Sequence, residues 1–258
     1  MYKVDDDFFD IESHEKYWLI GLIASDGSIG KYNQIVLSQS GKEGLNRINY
    51  VKRLLNSNYP INAKQTSGEI SYRFQISSVK MVRQLEGYNI VRNKTLIYTF
   101  PVIPEKYLCS FLAGYIEGDG CITVSHNKDN VEYLSVSFVG TKEFIMSCNE
   151  MLPVKGAIRK HNLSSVYEIR WYGKKAVNFC KWLFQYPELY HGIKYANYLY
   201  GKNIVEKSRD AKYSKIKEIV LNDFLNENVN VVNYAKSINI PFQTLYKWKK
   251  EWKLGGRL

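Results

Sequence analysis

Two short segments of this chain are near-copies of each other. Residues 19–27 read LIGLIASDG and residues 112–120 read LAGYIEGDG, so their aspartates, Asp26 and Asp119, stand 93 positions apart. Each segment places apolar residues at helical spacing on one face and ends in Asp-Gly. The repeat therefore predicts two homologous halves, each of which delivers one carboxylate to a common place.

Glycines stand at two matching positions of the two copies, and they need a physical reason. A glycine inside a helix costs roughly 1 kcal/mol relative to alanine, and Gly21 and Gly114 stand at matching positions. We expect them where two helix backbones approach each other closely. The glycines that follow the aspartates, Gly27 and Gly120, are expected to end the helices in a left-handed conformation.

The two aspartates are therefore predicted to lie in the last turns of two helices. The helix dipole places partial negative charge there, and two carboxylates brought together repel each other and raise at least one pKa. A divalent cation would relieve this repulsion, and carboxylate oxygens are ligands suited to Mg²⁺. The alternative is a pair of ordinary buried helices with capping aspartates, which the duplication disfavours.

Both segments resemble the motif of the LAGLIDADG homing endonucleases, the second more closely than the first. The resemblance covers about residues 15–200. It implies an α+β fold of two pseudo-symmetric αββαββα halves that form a DNA-binding saddle of β-strands. It also implies that Asp26 and Asp119 bind the catalytic metals, Mg²⁺ or another divalent cation such as Mn²⁺. Ala24 stands where the second motif has Glu117, a position that is not the metal ligand in the family.

The resemblance implies further site residues. Family members carry a basic residue near the start of the last helix of each half, and Lys94 and Lys194 match these positions best. A glutamine at the end of the second strand often joins them. Gln39 fits this position, whereas Gly140 takes it in the second half, so we expect the two cleavage centres to be asymmetric.

The charge of the chain favours a polyanionic partner. It contains 36 Lys and Arg against 25 Asp and Glu, a formal net charge of +11, although charge alone does not separate nucleic acid from an acidic membrane. No apolar run approaches the roughly 18 residues of a membrane span, and the acidic start of the chain is the reverse of a targeting peptide. We therefore expect no membrane partner, and a location in a bacterial, phage or archaeal cytoplasm or in an organellar matrix. The four cysteines include no C-x-x-C pair, which argues against a zinc site.

The strands that follow each motif predict a polar surface for DNA. Alternation turns Phe74 and Ile76 inward in the first half, and Ile169 and Trp171 inward in the second. The outward side chains are donors and acceptors of the kind that read base edges in a major groove, which admits a β-ribbon. They are Arg73, Gln75, Thr123, Ser125, Ser135, Ser137, Glu168, Arg170 and Tyr172. For any one of them, an ordinary solvated sheet face is the alternative.

The pattern divides the chain into four regions. Residues 1–104 and 105–200 form the two halves, residues 201–215 a basic linker and residues 216–258 a small all-α domain. The last region predicts helices over residues 216–225, 231–238 and 242–253, and it resembles the helix-turn-helix units of transposases and resolvases.

The third of these helices has two different faces. Leu245, Trp248 and Trp252 are predicted to lie inside. The opposite face is predicted to enter a major groove, and it consists of Gln243, Thr244, Lys247 and Lys250. A helical cap that only stabilises the second half is the alternative.

These features together predict a monomeric homing endonuclease that hydrolyses phosphodiester bonds on both strands of a long double-stranded DNA site. Two carboxylates that hold divalent cations address both ends of this reaction, the attacking water and the leaving oxygen. Two alternatives stay open: a DNA-binding regulator with the same body but no cleavage, and a maturase that takes intron RNA as its partner. The lack of protein-splicing signals favours an intron-encoded or free-standing enzyme.

Overall fold

The chain divides into two compact units, Met1–Ile204 and Val205–Leu258. The computed structural model describes residues 2–66, 68–128, 130–160, 165–186, 188, 189, 192–206, 220, 231–238, 240 and 242–254. Within these residues no helix combines the length and the apolar character needed to cross a membrane.

The larger unit contains the two predicted halves, and each begins with a motif helix. The first half consists of α1 (His14–Asp26), β1 (Gly27–Ile29), β2 (Gln34–Ser40), α2 (Gly41–Leu54), β3 (Ile61–Thr66), β4 (Glu69–Ser77) and α3 (Val79–Glu86). The second half consists of α4 (Leu108–Asp119), β5 (Gly120–His126), β6 (Glu132–Gly140), α5 (Lys142–Met151), β7 (Ala157–Lys160), β8 (Tyr167–Tyr172) and α6 (Gly173–Leu183). A further helix, α7, covers residues 193–206. Single-turn 3₁₀ helices lie at Phe8–Asp10, Lys94–Leu96 and Glu105–Tyr107.

Each half forms one four-stranded antiparallel sheet. The strand order is β1-β2-β4-β3 in the first half and β5-β6-β8-β7 in the second, so the two halves share one topology. Phe74 and Ile76 of β4 are buried, as are Ile169 and Trp171 of β8, in agreement with the predicted alternation. The predicted α+β fold class with two αββαββα halves is confirmed.

Helices α1 and α4 pack against each other along their buried lengths, and their glycines make this possible. A Cβ atom on Gly21 would overlap the carbonyl oxygen of Phe111 and lie 2.8 Å from the backbone nitrogen of Tyr115. A Cβ atom on Gly114 would likewise overlap the carbonyl oxygen of Trp18. The predicted close approach of two helix backbones is confirmed.

The predicted left-handed ends of these helices are wrong. Gly27 has φ −85° and Gly120 has φ −101°, so both are extended, and each begins a strand. A side chain is excluded for another reason. A Cβ atom would lie 2.7 Å from the Cα atom of Ile23 at the first junction and 2.7 Å from that of Ile116 at the second. The tight passage from helix to strand, rather than a turn conformation, requires the glycine.

The linker predicted over residues 201–215 does not begin at residue 201, because α7 continues to residue 206. Gly201 is buried, and a Cβ atom there would lie 2.5 Å from Leu134 Cδ1 of β6. This part of the helix is therefore fixed by packing on the second sheet, which its polar sequence did not indicate. Residues 207–215 lie outside the described residues.

Two of the three helices predicted in the smaller unit are described. Helix α8 covers Val231–Ser237 and α9 covers Phe242–Leu254. They share a hydrophobic core made of Val220, Val231, Ala235, Ile240, Leu245 and Trp248. The burial of Leu245 and Trp248 confirms two members of the predicted inner face. The side chain of Trp252 and the helix predicted over residues 216–225, apart from Val220, lie outside the described part.

Candidate active site and nucleic-acid interface

The paired aspartates end the two packed helices, as predicted. Asp26 is the last residue of α1 and Asp119 the last residue of α4. The two helix ends meet, because a Cβ atom on Gly118 would lie 2.7 Å from the Cγ atom of Asp26. The absence of a side chain on Gly118 thus makes room for the first carboxyl beside the second helix.

The second carboxyl responds to its surroundings and to the charge of the first. Asp119 keeps a solvent-exposed side, yet the surrounding protein removes part of its hydration. This loss of hydration, together with the negative charge of Asp26, raises the pKa of Asp119 to about 6. Lys94, Lys194 and the Tyr115 hydroxyl act in the opposite direction without cancelling the effect. A carboxyl with a raised pKa beside a second acid is typical of a functional site.

Lys94 lies directly beside the first aspartate. It is 6% exposed, and its Nζ donates to the carbonyl oxygen of Gly27 at 2.7 Å. Burial lowers the pKa of Lys94, while the charges of Asp119 and Asp26 act against that change. The residue belongs to a single-turn 3₁₀ helix after α3 and not to the start of an α-helix.

Lys194 occupies the corresponding place in the second half, in the first turn of α7. Its Nζ donates to the carbonyl oxygens of Ile116 at 2.5 Å and Glu117 at 2.8 Å. Burial lowers the pKa of Lys194, and the charge of Glu117 acts against that change. Carbonyl groups at a helix C-terminus carry partial negative charge, so an ammonium group binds there favourably. One lysine is therefore attached to the backbone beside each aspartate.

Gln39 connects the first aspartate to a buried ion pair. Its Nε2 donates to Asp26 Oδ2 at 2.5 Å, and its Oε1 accepts a hydrogen bond from Nη1 of Arg47. Nη2 of Arg47 donates to Glu117 Oε2 at 2.8 Å. We call these four residues the polar chain. It begins at the first motif and crosses from the first half to the second.

Among the described residues of the second half no such chain leads from Asp119. Gly140 holds the register position of Gln39, since each lies two residues beyond the β-strand partner of the glycine that follows the motif aspartate. A Cβ atom on Gly140 would lie 2.7 Å from Phe144 Cδ1 and 3.2 Å from the Tyr115 hydroxyl. Phe144 stacks on Tyr115 with ring centroids 4.5 Å apart. Aromatic rings therefore stand where the first half has an amide and a guanidinium.

The carboxylates fit a hard divalent cation that completes its coordination with water and phosphate. Mg²⁺ in proteins is usually bound by one or two carboxylates together with waters and substrate phosphates, and Asp26 and Asp119 supply two. Among the described residues no group of three or more His, Cys, Asp and Glu side chains could hold a metal ion.

The first sheet exposes polar residues on the face opposite its buried side chains. Arg73 is exposed, and its guanidinium donates to Gln75 Oε1 at 2.9 Å. In register, Arg73 lies between Ser38 of β2 and Asn62 of β3, which are both exposed. The two predicted contact residues thus belong to a wider polar surface.

The second sheet carries the seven other predicted contact residues, and their exposure is unequal. Thr123 pairs with Ser135, and Ser135 pairs with Tyr172, so these three share a face. Tyr172 is 47% exposed, and Thr123 and Ser125 are partly buried. Ser135 and Ser137 are buried, contrary to the expectation of outward contacts, because they are short side chains beside the longer Tyr172 and Arg170 of β8.

Glu168 also differs from the expectation that it contacts DNA directly. Its side chain is buried, and its carboxylate forms ion pairs with the guanidinium groups of Arg159 and Arg170. Burial alone would raise the pKa of Glu168, but hydrogen bonds from Arg170, Arg159 and Ser137 lower it. In the free protein Glu168 therefore orients two arginines, and the arginines present the charge.

The outer side of α9 is polar with two exposed aromatic rings. Gln243 and Lys250 are exposed and Thr244 is partly buried, whereas the side chain of Lys247 lies outside the described part. Two exposed rings that the pattern did not predict lie beside them, those of Phe242 and Tyr246.

Sequence patterns missed Arg47 and Arg159. Arg47 lies on the buried stripe of α2 between Gly44 and Ile48, and a cation inside an apolar stripe was the available signal. Its partner Glu117 is 70 positions away, so no local pattern links them. Arg159 lies on the four-residue strand β7, which is too short to show a clear alternation.

The sequence matches no protein-family model and no curated protein. Solved structures do match. One is the LAGLIDADG homing endonuclease I-LtrWI bound to target DNA, with a TM-score of 0.59 and 15% identity over 80% of this chain and 96% of that one. Another is the LAGLIDADG homing endonuclease I-GzeII in complex with DNA target, with a TM-score of 0.55 and 14% identity over 83% and 97%. A third is I-SmaMI bound to cleaved DNA, with a TM-score of 0.54 and 14% identity over 79% and 92%.

Proposed function

Because this chain has the fold of the LAGLIDADG homing endonucleases, we propose that it is a site-specific endonuclease that cuts both strands of a long double-stranded DNA target. A fold alone does not establish an activity. The observation that carries the proposal is the pairing of Asp26 and Asp119 where two like halves meet, with one lysine attached to the backbone beside each.

The proposed partner is double-stranded DNA. The formal net charge of +11 favours a phosphate polymer. Arg73 on the first sheet lies between two neutral polar side chains, whereas Arg159 and Arg170 on the second are oriented by Glu168. Arginine reads guanine in the major groove by two hydrogen bonds. A single chain contains both halves, so it would act as a monomer.

The proposed cofactor is Mg²⁺ or another divalent cation such as Mn²⁺, held by Asp26 and Asp119. When bound, such a cation activates water and stabilises the leaving alkoxide in phosphodiester hydrolysis. The two carboxylates hold negative charge at the ends of two helices, and the polar chain keeps one oxygen of Asp26 occupied by Gln39.

Lys94 and Lys194 would act on the phosphate and on protons. Burial lowers the pKa of both amines, which brings them closer to the range in which general acids and bases work. In the ammonium form each would stabilise the charge that develops on the phosphate in the transition state. Their backbone hydrogen bonds hold them beside the acids before DNA binds.

A DNA-binding regulator that does not cleave is less well supported. Such a protein has no need of two close carboxylates, whose mutual repulsion is unfavourable in the absence of a cation. Here both acids and both lysines are present in one place.

We also propose that the smaller unit binds DNA as a helix-turn-helix. Its helices α8 and α9 share a core of their own, and α9 exposes Gln243 and Lys250 on the opposite side. A second contact region of this kind would lengthen the DNA site.

Cleavage of the locus that encodes the protein tests the proposed function. Purified protein is incubated with Mg²⁺ and two duplexes, the coding locus with and without its interrupting sequence, and EDTA serves as the control. A pool of random duplexes, with sequencing of the cleaved ends, identifies the site if the gene is free-standing. Double-strand cutting that requires the divalent cation is expected. Specific binding without cutting in Mg²⁺ or Mn²⁺ would favour the regulator.

A further inference from the structure

We propose that Arg47 and Glu117 are positioning residues for only one of the two strand cuts. Their ion pair across the two halves holds Gln39 on Asp26, so that cutting of one DNA strand depends on it. This inference rests on the proposed nuclease function.

The first observation is the complete enclosure of the ion pair. The side chain of Arg47 is 8% exposed and that of Glu117 is 2% exposed. A buried ion pair contributes little net stability, because the loss of hydration offsets the attraction. The role of this ion pair is therefore better explained by the neighbouring side chain that it orients than by a contribution to the stability of the fold.

The second observation is the direction of the hydrogen bonds. A guanidinium group can only donate hydrogen bonds, so Arg47 donates to the amide oxygen of Gln39. The amide nitrogen of Gln39 then points toward Asp26 and donates to it. Glu117 holds the other terminal nitrogen of Arg47. Because the guanidinium is planar and rigid, both partners are fixed relative to each other. Gln39 consequently has one orientation, in which Oδ2 of Asp26 is occupied.

The third observation comes from the second half. The C-cap residues Leu55 of α2 and Leu152 of α5 align the two helices, and the strand register and the motifs align the rest. In this alignment the counterparts of Gln39, Arg47 and Glu117 are Gly140, Phe144 and Ala24. All three polar residues are absent together, as expected if they act as one unit.

The test measures each strand separately. A duplex that the wild-type protein cuts is labelled differently at the two 5′ ends, and rates are measured at saturating protein and Mg²⁺. The variant Gln39→Leu identifies the strand that depends on the polar chain. Arg47→Met and Glu117→Gln are expected to slow that same strand about 10- to 100-fold and the other strand by less than about threefold. Arg53→Met, an exposed arginine of α2 outside the polar chain, should leave both rates unchanged.

A second variant separates positioning from stability. Arg47→Lys keeps a cation beside Glu117, but a single nitrogen cannot reproduce the fork that holds two partners. We expect the melting temperature of Arg47→Lys to lie closer to that of the wild type than the melting temperature of Arg47→Met does. We nevertheless expect Arg47→Lys to cut the Gln39-dependent strand more slowly than the wild type. Equal slowing of both strands in step with a lowered melting temperature would overturn the proposal.

A third measurement needs no DNA. In ¹⁵N-labelled protein the side-chain amide signal of Gln39 is identified by its absence in Gln39→Leu. We expect its protons to exchange slowly in the wild type, and to shift and exchange faster in Arg47→Met and Glu117→Gln. An unchanged signal would overturn the positioning role. A wild-type protein that shows these signals but cuts no duplex would instead contradict the proposed nuclease function.

Discussion

The two motif aspartates end equivalent helices in different surroundings. Asp26 accepts a hydrogen bond from Gln39, at the start of a chain of charged and polar groups. Asp119 lies beside the Tyr115 hydroxyl, and the protein around it together with Asp26 raises its pKa to about 6. Duplication of the fold has preserved where the carboxylates stand, while the side chains around them have diverged. Equal backbone placement therefore does not imply equal chemistry.

The largest expected effect tests whether double-strand cleavage requires both motif aspartates despite their different surroundings. Asp26→Asn or Asp119→Asn should abolish double-strand cleavage while DNA affinity stays within about tenfold, because the change removes a cation ligand and little of the interface. Cleavage and gel-shift assays on the same duplex measure both quantities. Full cutting by both single variants in Mg²⁺ would remove the catalytic assignment.

The two halves can also be compared through the lysine beside each motif aspartate, Lys94 in the first half and Lys194 in the second. Lys94→Met and Lys194→Met should each lower the cleavage rate by roughly two to four orders of magnitude, as expected for loss of a proton-transfer or charge-stabilising group. Single-turnover rates at saturating protein are the measurement. A normal rate with weakened binding would instead identify the lysines as phosphate contacts.

The helix pair is where the two halves are most alike, and equal substitutions should have equal effects there. Gly21→Ala and Gly114→Ala would each place a methyl group against the backbone of the other helix, and we expect each to lower the free energy of unfolding by about 3 kcal/mol. Urea titration measures this. Gly87→Ala is the control, since its Cβ atom would lie 3.2 Å from the nearest atom and should change stability by less than about 1 kcal/mol.

A small loss at Gly21 together with a large loss at Gly114, or the reverse, would show that the two helices do not approach each other symmetrically.

The fold was predictable because its signals are local. The duplicated motif, the alternation around Phe74 and Ile169 and the helical stripes are each visible within a short window of sequence. The short edge strand β7 gave no such signal, because four residues are too few for a pattern. The continuation of α7 past Gly201 depends on packing against Leu134, which the sequence does not display.

The site was predictable only where the motif itself defines it. Asp26 and Asp119 follow from the repeat, and Gln39, Lys94 and Lys194 from the family resemblance. Arg47 and Glu117 are joined across 70 positions, so their contact follows from the packing of two halves. Glu168 was placed on the correct face, but its burial depends on Arg159, a residue of another strand.

The contribution of the smaller unit should be more modest. Truncation after Lys215 should weaken DNA binding at moderate salt, shorten the footprint and flatten the salt dependence. The slope of log affinity against log salt should change by about 0.9 for each phosphate group that the truncated protein no longer binds. Metal-dependent cutting at high protein concentration should persist. An unchanged footprint and slope with only a lower melting temperature would identify the unit as a stabilising cap.

The smallest expected effect concerns the pH dependence of stability. The pKa of Asp119 is about 6 in the folded protein against an ordinary value of 3.8. Below the lower value both states are protonated and Asp119 has no effect. Between the two values the unfolded state ionises first, so Asp119 destabilises the fold increasingly as pH rises, and above the higher value the destabilisation is complete.

In EDTA, Asp119→Asn should therefore be more stable than the wild type at pH 7 and equal to it at low pH. The difference should be on the order of 1 kcal/mol, because solvent reaches the exposed side of Asp119. Thermal unfolding of both proteins across the pH range is the measurement. A difference that does not vary with pH would contradict the raised pKa.

The two halves are expected to cut the two DNA strands at unequal rates. The most direct test of this inequality is a time course of the wild-type protein on its target duplex in Mg²⁺, in which the cutting of each strand is followed separately. We predict that a nicked duplex accumulates before the linear product and that the nick lies in the same strand in nearly every molecule. Nicks divided equally between the two strands would contradict the inequality of the halves, and the absence of any cut in either strand would contradict the nuclease itself.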